Sequence, residues 1–278
     1  MNQVVNTLSK LGARHEVLSA AQFGERFAQF RIGPDGYAVY SPDAGILLAD
    51  QCVQAMAHMA VRYGSTIHES EVVSRVHSDG DSVEVITNRD RYRARKAIVT
   101  AGAWVNQLLA ASGYPILPVR IEREQVAYFN ARGDRSLSFG QWPIWIHYRR
   151  QIAYGFPDLG NGVKVGFHHA GHYINHPDEN CGVLDDGDLQ ALSTYIRERF
   201  PDVDPTPRNG LTCLYTVTPD EDFIIDALPH SPSIIVASPC SGHGFKFAVG
   251  IGRALADLAL HGTTAMSIAH TRKLAAAC

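Results

Sequence analysis

Two glycines, a lysine and a sharp turn lie close together near the C-terminus. The run Ser238-Pro-Cys-Ser-Gly-His-Gly-Phe-Lys-Phe247 follows a buried-strand pattern at 234–237 and precedes a helical pattern at 248–260. Gly242 and Gly244 allow a tight bend and a close approach of the backbone to a ligand. A helix that begins there directs free N–H groups at an anion, either a phosphate or the negatively charged N1–C2=O edge of a reduced flavin. Alternatively, the two glycines only form the turn.

The lysine of this run, Lys246, falls in the first turn of the predicted helix. A cation is disfavoured at a helix N-terminus, because the partial charge there is already positive. Lys246 therefore requires an anionic partner, and a substrate carboxylate is one such group.

A thiol and a phenol lie two residues apart in an extended stretch. In residues 211–218, strand alternation places Cys213, Tyr215 and Val217 on one face. The first two side chains could line a pocket. The alternative for Cys213 is a buried cysteine that acts as a small hydrophobic residue.

A second extended stretch carries a lysine and a histidine on one face. In Lys164-Val-Gly-Phe-His168, Gly166 leaves room between the two charged positions, and Tyr154 on the preceding strand can face the same cavity. A lysine beside a bound flavin would supply the positive charge that reduction of O2 to superoxide requires. His168 would hydrogen-bond a substrate or tune protonation near neutral pH. Both could instead be ordinary surface residues of a strand.

Three histidines, His168, His169 and His172, only loosely match the spacing of metal ligands. Adjacent residues of a strand point to opposite faces, so the first two are not expected to ligate one ion together. No metal site is predicted.

The elements that must position these residues follow from periodicity. Residues 1–117 have α/β character, with Asp50 as the expected cap of a helix that runs to about Tyr63, and a buried strand at 97–101 that ends in Gly102. Short strand patterns joined by Gly, Pro and Asp dominate 118–207 and predict an antiparallel sheet. Residues 208–278 return to α/β character, and Gly262 is expected to end the last helix.

Composition excludes several classes of protein. The net charge of −3 gives no reason to expect nucleic acid or an anionic membrane as a partner, and no run of about 18 apolar residues predicts a membrane span. The N-terminus lacks the pattern of a secretory signal. The five cysteines form no Cys-x-x-Cys, which argues against a disulfide framework and a structural zinc. A cytoplasmic protein with reduced thiols is expected.

Taken together, these segments resemble the monomeric sarcosine oxidase and N-methyltryptophan oxidase family of FAD amine oxidases, in the D-amino-acid-oxidase-like group. The resemblance covers nearly the whole chain, and its segments occur in the family's order. They are Ala101-Gly-Ala-Trp104, Tyr154-Gly-Phe-Pro157, Lys164-Val-Gly-Phe-His168, Thr212-Cys-Leu-Tyr-Thr216, Pro219-Asp-Glu-Asp-Phe-Ile-Ile-Asp226 and Ser241-Gly-His-Gly-Phe-Lys-Phe247.

The resemblance implies FAD as the cofactor, attached covalently through Cys213 to the flavin 8α-methyl group. It implies that Lys246 helps to bind the substrate carboxylate, and that Lys164, water-bridged to flavin N5, activates O2. Around the substrate it implies Tyr154, His168 and Tyr215. The residues that it places against the cofactor are Val72, Gly102, Ala103, Trp104, Ser241, Gly242, His243, Gly244, Phe245 and Lys246.

The implied fold is α/β (α+β), with an FAD-binding Rossmann-like domain and a substrate domain built on a largely antiparallel sheet. Residues 1–117 and 208–278 are expected to form the two parts of the FAD-binding domain, and 118–207 the substrate domain. One departure is large, because the Gly-x-Gly-x-x-Gly turn of the first βαβ unit is absent. The deficit against a complete two-domain flavoenzyme is roughly 100 residues. We therefore expect the chain to be an N-terminally truncated form.

The expected activity is oxidation of the C–N bond of a secondary amino acid, N-methyl or cyclic, with O2 reduced to H2O2 by a monomeric enzyme. Two alternatives remain open. One is a non-catalytic remnant that does not bind FAD, and the other is an FAD-dependent dehydrogenase that passes electrons to another acceptor.

Overall fold

Helices and strands alternate along the chain in the computed structural model, which describes residues 2–133, 136–271 and 274. The α-helices are α1 (Asn2–Lys10), α2 (Ala20–Arg26), α3 (Ala49–Arg62), α4 (Val105–Ala111), α5 (Asp186–Arg199) and α6 (Ala248–His261). The first seven strands are β1 (Glu16–Ser19), β2 (Tyr37–Tyr40), β3 (Val73–Ser78), β4 (Val83–Thr87), β5 (Arg91–Ala94), β6 (Ala97–Val99) and β7 (Arg120–Ala131). The remaining strands are β8 (Trp145–His147), β9 (Ile152–Phe156), β10 (Val163–His168), β11 (His172–Ile174), β12 (Val203–Val217), β13 (Ile224–Leu228) and β14 (Ser231–Ser238).

The chain divides into two compact units, each made of three segments. The first comprises Met1–Ile46, Glu124–Gly171 and Gly182–Cys213, and the second comprises Leu47–Arg123, His172–Cys181 and Leu214–Cys278. The predicted mixed α/β fold with a largely antiparallel sheet is confirmed. The assignment of 1–117, 118–207 and 208–278 to cofactor and substrate domains stays a prediction.

An antiparallel sheet is the main feature of the first unit. Strand β10 pairs with β7 on one side and with β9 on the other, and β8 pairs with β9. The hairpins form because Gly, Asp and Arg residues in the connections interrupt short strands that are rich in β-branched and aromatic residues. The predicted strands at 152–156 and 163–168 are confirmed at both ends.

One face of this sheet is covered by helix α5. The helix begins at Asp185, whose side chain accepts a hydrogen bond from the Asp188 N–H at 2.9 Å, and it buries Leu192 and Ile196. Alternate residues of the strands form the rest of this core, among them Ala127, Phe129, Val163 and Val165, and Trp142 and Phe200 fill it. Helix α5 does not cover the opposite face of the sheet.

The second unit contains a three-stranded sheet in the order β13-β14-β6 and an antiparallel sheet in the order β3-β4-β5. Strand β14 is antiparallel to β13 and parallel to β6. Helix α6 buries Ile251, Leu255 and Leu258 against strand residues, and it ends at Gly262 with a φ of 74°, as predicted.

Two expectations for the second unit were wrong in detail. Asp50 is not the cap of α3, because the cap position is Leu48 and Asp50 lies in the first turn. The predicted strand at 97–101 spans only Ala97–Val99, and Ile98 in its centre is exposed. In the part of the chain that the structure describes, no helix has the length and apolar character to cross a bilayer.

Candidate functional site

The face of the first sheet that α5 does not cover carries three of the predicted site residues. Residues directly opposite one another in paired strands point to the same side, and Lys164 pairs with Phe156 while Gly166 pairs with Tyr154. Strand alternation then places His168 on this side as well. The structure thus brings Tyr154, Lys164 and His168 onto one face, as the spacing predicted.

Gly166 is required at the centre of this face. A Cβ atom there would lie 3.0 Å from the hydroxyl oxygen of Tyr154 and 2.9 Å from a Val126 methyl group. The Tyr154 ring therefore lies over the glycine, and it meets the His168 ring edge to face with centroids 6.5 Å apart. The space that Gly166 leaves between Lys164 and His168 is occupied by the Tyr154 side chain.

Lys164 is held in a partly apolar environment. Its Nζ lies 5.3 Å from the centroid of the Phe156 ring, a cation–π arrangement. Burial lowers the pKa of the Lys164 ammonium, and a Cys213 thiolate opposes this effect. The structure therefore brings Lys164 within electrostatic range of Cys213.

Cys213 is exposed in β12, yet the protein around its sulfur changes its titration. Desolvation raises the pKa of the Cys213 thiol, the Glu124 carboxylate raises it further, and Lys164 lowers it. The lysine is thus the group that favours the thiolate form at this position.

Glu124 is a residue of this region that sequence reasoning missed. It is only 2% exposed, and its Oε1 accepts hydrogen bonds from the N–H groups of Ala170 at 3.1 Å and Gly171 at 3.3 Å. This binding fixes the turn after β10, in which His169 has a φ of 52°. A glutamate next to the apolar run 126–129 was the available signal, because a buried carboxylate needs partners.

In the second unit, two predicted cofactor segments lie at the same edge of a sheet. Strands β6 and β14 are parallel, with Ala97 opposite Ile234 and Val99 opposite Val236. Their carboxyl ends lead into the turn Gly102–Trp104 and into the loop that follows Ser238. Crevices outside the carboxyl ends of parallel strands are the usual binding sites of α/β sheets.

The first of these segments is a single 3-10 turn. Gly102 has a φ of 53°, a conformation that favours glycine, and Ala103 is buried. Trp104 is 46% exposed, and its indole N–H donates to Asp178 at 2.9 Å. Val72 lies elsewhere, exposed just before β3, where its N–H donates to the Asn88 side chain and its carbonyl accepts from the Asn88 N–H.

The second segment, the loop that follows Ser238, is held by hydrogen bonds of Ser241 and Thr218. Ser241 is fully buried with a φ of 46°, its N–H donates to the Thr216 carbonyl at 2.9 Å, and its Oγ donates to the Asp222 carbonyl at 3.0 Å. Thr218 Oγ1 donates to the same carbonyl at 2.8 Å. Sequence reasoning missed these roles of Thr216 and Thr218, although both residues lie in the extended stretch 211–218.

Gly244 and His243 shape the top of the loop. A Cβ atom on Gly244 would overlap the carbonyl oxygen of Pro239, so no larger residue fits there. His243 places its Nε2 2.9 Å from the Glu221 carbonyl and packs against the Phe223 ring at 5.1 Å. The bend at Gly242 has a φ of 74°.

Lys246 lies in the 3-10 turn Phe245–Phe247 that precedes α6, rather than in the first turn of α6 itself. Its Nζ donates to the His243 carbonyl at 2.9 Å and lies 5.1 Å from the centroid of the Phe247 ring. Burial lowers the pKa of the Lys246 ammonium. The side chain remains accessible to an anion.

The predicted site residues are divided between the two units. Tyr154, Lys164, His168 and Cys213 belong to the first unit, whereas Tyr215, half-buried in β12, belongs to the second unit with the remaining predicted residues.

Comparison with known proteins identifies the group to which these features belong. Residues 2–258 match the family described as FAD dependent oxidoreductase. Monomeric sarcosine oxidase of Streptomyces avermitilis is 35% identical over 272 residues, which are 95% of this chain and 70% of the relative. N-methyl-L-tryptophan oxidase of Citrobacter koseri is 33% identical over 254 residues, which are 88% of this chain and 64% of the relative.

A solved structure agrees with these relatives. NikD, described as an unusual amino acid oxidase essential for nikkomycin biosynthesis, superposes with a TM-score of 0.83 at 28% identity, over 96% of this chain and 70% of that protein. The chain thus spans about two thirds of the length of the curated relatives that it matches.

Proposed function

Because the chain belongs to the FAD-dependent oxidoreductase family, in the group of monomeric sarcosine oxidase and N-methyltryptophan oxidase, we propose that it oxidises secondary amino acids. The substrate class is an N-methyl or cyclic amino acid, and the electron acceptor is O2. Bound FAD would take a hydride equivalent from a C–H bond next to the amine nitrogen and pass two electrons to O2, giving H2O2 and an imine that water hydrolyses.

The observation that carries this proposal is the shared edge of β6 and β14. Two segments with positive φ at glycine, at Gly102 and Gly242, follow parallel strands, and the second leads into α6. Such an edge offers backbone N–H groups and room for a flat ligand to approach the main chain closely. The residues therefore fit a flavin, and FAD is the proposed cofactor.

The lysines have different proposed roles. Lys246 binds the substrate carboxylate, since the residue lies just before α6, where the positive end of the helix disfavours a cation and a bound anion would stabilise it. Lys164 supplies a partly desolvated positive charge where O2 gains an electron, and such fixed charges are strongest in places that exclude water. If Lys164 were dispensable for reoxidation by O2, an FAD-dependent dehydrogenase with another acceptor would be favoured.

The aromatic and histidine residues are proposed to hold the substrate. Tyr154 and His168 lie edge to face and present two hydrogen-bonding groups on the same sheet face as Lys164. No strong general base is required if the amine binds in its neutral form. The Glu124 carboxylate is engaged with the N–H groups of Ala170 and Gly171, and we assign it no base function.

Cys213 is proposed as the covalent attachment point of the flavin. Burial and the Glu124 carboxylate raise the pKa of the Cys213 thiol, and Lys164 partly offsets this rise in favour of the thiolate, which is the reactive form of a cysteine. A cytoplasmic location and a monomeric state, both expected from the sequence, remain predictions.

The test begins with cofactor retention. The purified chain is incubated with FAD, precipitated with acid, and the pellet is examined for flavin absorbance, with Cys213→Ser and the exposed Cys181→Ser as the matched pair. We expect a yellow pellet that becomes colourless only in Cys213→Ser. A colourless pellet in every case, with no flavin bound before precipitation, would contradict the proposed cofactor site of this chain.

Turnover is measured separately from retention. FAD-loaded protein is assayed for peroxide with sarcosine, N-methyltryptophan and pipecolate, and Lys246→Met is expected to raise KM for each acid. Retained flavin without peroxide from any of these amino acids would reject the substrate class and leave the cofactor assignment intact.

A further inference from the structure

A cavity of about 530 Å³ lies in the first unit, between the turn that joins β8 to β9 and helix α5. The residues that line it and matter here are Arg149, Arg150, Phe167, Thr194, Tyr195 and Glu198. Phe167 alternates in β10 with Gly166 and His168, so it points to the α5 side of the sheet. The cavity is therefore separate from the face that carries Lys164.

Its most unusual feature is a pair of adjacent arginines. Arg149 and Arg150 are both exposed in the β8–β9 turn, and within the described residues neither makes an ion pair or a hydrogen bond. Two neighbouring guanidinium groups repel one another and are planar donors suited to a carboxylate. An anion at this wall would relieve the repulsion and use the donors.

The floor of the cavity is aromatic and fixed. The Tyr195 oxygen lies 2.7 Å from His147 Nδ1, its ring meets Phe167 edge to face at 5.7 Å, and it stacks on Trp145 at 6.0 Å. These contacts hold the Tyr195 ring in one position. A flat apolar group can rest against such a surface without ordering it first.

The floor also carries no charge near neutral pH. Burial lowers the pKa of His147, and Arg149 and Arg199 lower it further, so the imidazole is neutral and Nδ1 can accept a hydrogen bond from the Tyr195 hydroxyl. Burial raises the pKa of Tyr195, which keeps the phenol protonated. Among the described residues of the lining, Glu198 is the acidic one, and its carboxylate lies 3.9 Å from the Arg199 guanidinium, so the charges of Arg149 and Arg150 are left without a counter-charge in the cavity.

We propose that this cavity binds a small organic monoanion, namely a carboxylate on a flat apolar body. The arginine pair would take the carboxylate and the Tyr195–Phe167 surface would take the body. The site is additional to the proposed oxidation site, and its ligand need not be a substrate.

The test is a titration of the full chain with 4-fluorobenzoate, followed by fluorine NMR. The neutral analogue 4-fluorobenzyl alcohol is titrated in parallel and is expected to bind at least about tenfold more weakly, because it lacks the charge-assisted hydrogen bonds. Arg149→Gln/Arg150→Gln should weaken benzoate binding by a similar factor. Equal affinity for the acid and the alcohol would overturn the proposal.

Two controls separate this site from general attraction and from the oxidation site. Arg62→Gln/Arg75→Gln removes the same charge from exposed arginines of the second unit, and it should leave the affinity within about twofold. Lys246→Met should do the same. If either control variant loses the ligand as strongly as the Arg149/Arg150 variant does, the binding lies elsewhere and the proposal fails.

Discussion

Lys164 and Cys213 lie within electrostatic range of each other, and the protein shifts their pKa values in opposite directions. Burial disfavours both charged forms, so the pKa of the ammonium falls and the pKa of the thiol rises. The charge of each group partly offsets the shift of the other, because the thiolate raises the pKa of Lys164 and the ammonium lowers the pKa of Cys213. A single substitution at Lys164 should therefore change stability and thiol reactivity at once.

Lys164→Met should stabilise the chain at neutral pH. The folded pKa of Lys164 lies below its unfolded value, so at pH values below the folded pKa the lysine is protonated in both states and the full cost of its burial is present. As pH rises through the folded pKa, the native state releases its proton first and the cost disappears. We expect a higher urea midpoint for the variant at pH 7, with a difference that shrinks as pH rises above the folded pKa.

The matched control is Lys10→Met, at an exposed position in the last turn of α1. A surface substitution of this kind usually changes the free energy of unfolding by no more than about 0.5 kcal/mol. A loss of stability in Lys164→Met at pH 7 would mean that pairing of the ammonium outweighs its burial, contrary to the direction argued here.

Alkylation of Cys213 should require a higher pH in the native chain than in the unfolded chain. The raised pKa of the thiol leaves little thiolate at neutral pH, and only the thiolate reacts. The rate constant for iodoacetamide, measured by peptide mass spectrometry on flavin-free protein, is compared in buffer and in urea. Lys164→Met should shift the native profile further upward, because the lysine is the group that lowers this pKa.

Cys181, exposed in the second unit, is the reference thiol in the same samples. Its rate should not respond to Lys164→Met. A profile for native Cys213 that lies at or below the unfolded profile would contradict the desolvation argument.

At the scale of elements, the loop between β14 and α6 requires small residues for steric reasons as well as for its turn conformation. Gly244 has ordinary helical dihedral angles, yet a Cβ atom there would overlap the Pro239 carbonyl oxygen. Gly252 in the middle of α6 has no atom within 4 Å of a built Cβ. The two glycines therefore have opposite expected responses to alanine.

Gly244→Ala should destabilise the chain by about 1–3 kcal/mol, since the loop must shift to admit the methyl group. It should also abolish flavin retention if the loop holds the cofactor. Gly252→Ala should stabilise by about 0.5–1 kcal/mol, because alanine is the better helix former. Urea unfolding of the two variants beside the parent checks both signs, and a shared sign would refute the steric argument.

Local pattern was enough to predict most elements, and the reasons are visible at particular residues. Strands β9 and β10 were located as short strand-like segments joined by Gly, Pro and Asp, and the end of α6 was located by Gly262. The parallel pairing of β6 with β14 could not be derived, because it joins residues more than 130 positions apart. The position of Glu124 beside an apolar run could have indicated its burial, but the partners of Glu124 and Thr218 could not be derived, since they are backbone groups that only the folded chain brings near.

Helix α3 shows why an apolar stripe is an incomplete guide to burial. Val53 and Met56 lie on one face at helical spacing, as expected for a packed helix. In the structure α3 has no buried residues, and Val53 is 52% and Val61 55% exposed. The pattern predicts an apolar face of the helix, but it does not show whether other residues cover that face.

For the whole molecule, this exposed stripe combines with a low net charge. The formal charge is −3 with neutral histidines, and 13 histidines bring the isoelectric point to about 6.5. Charge repulsion between molecules is therefore weakest near pH 6.5, where exposed apolar surface promotes association.

Light scattering across pH 5.5–8.5 should thus show maximal association near pH 6.5. Val53→Glu/Val61→Glu should reduce it by removing apolar surface and adding charge, while changing the free energy of unfolding by no more than about 0.5 kcal/mol for each substitution. The matched control is Gln51→Glu/Gln54→Glu, which adds the same charge to exposed positions of α3 and keeps the apolar stripe. If the control suppresses association equally, net charge alone governs it. A larger effect of the valine pair would assign the difference to the stripe, because charge, helix and exposure are otherwise matched.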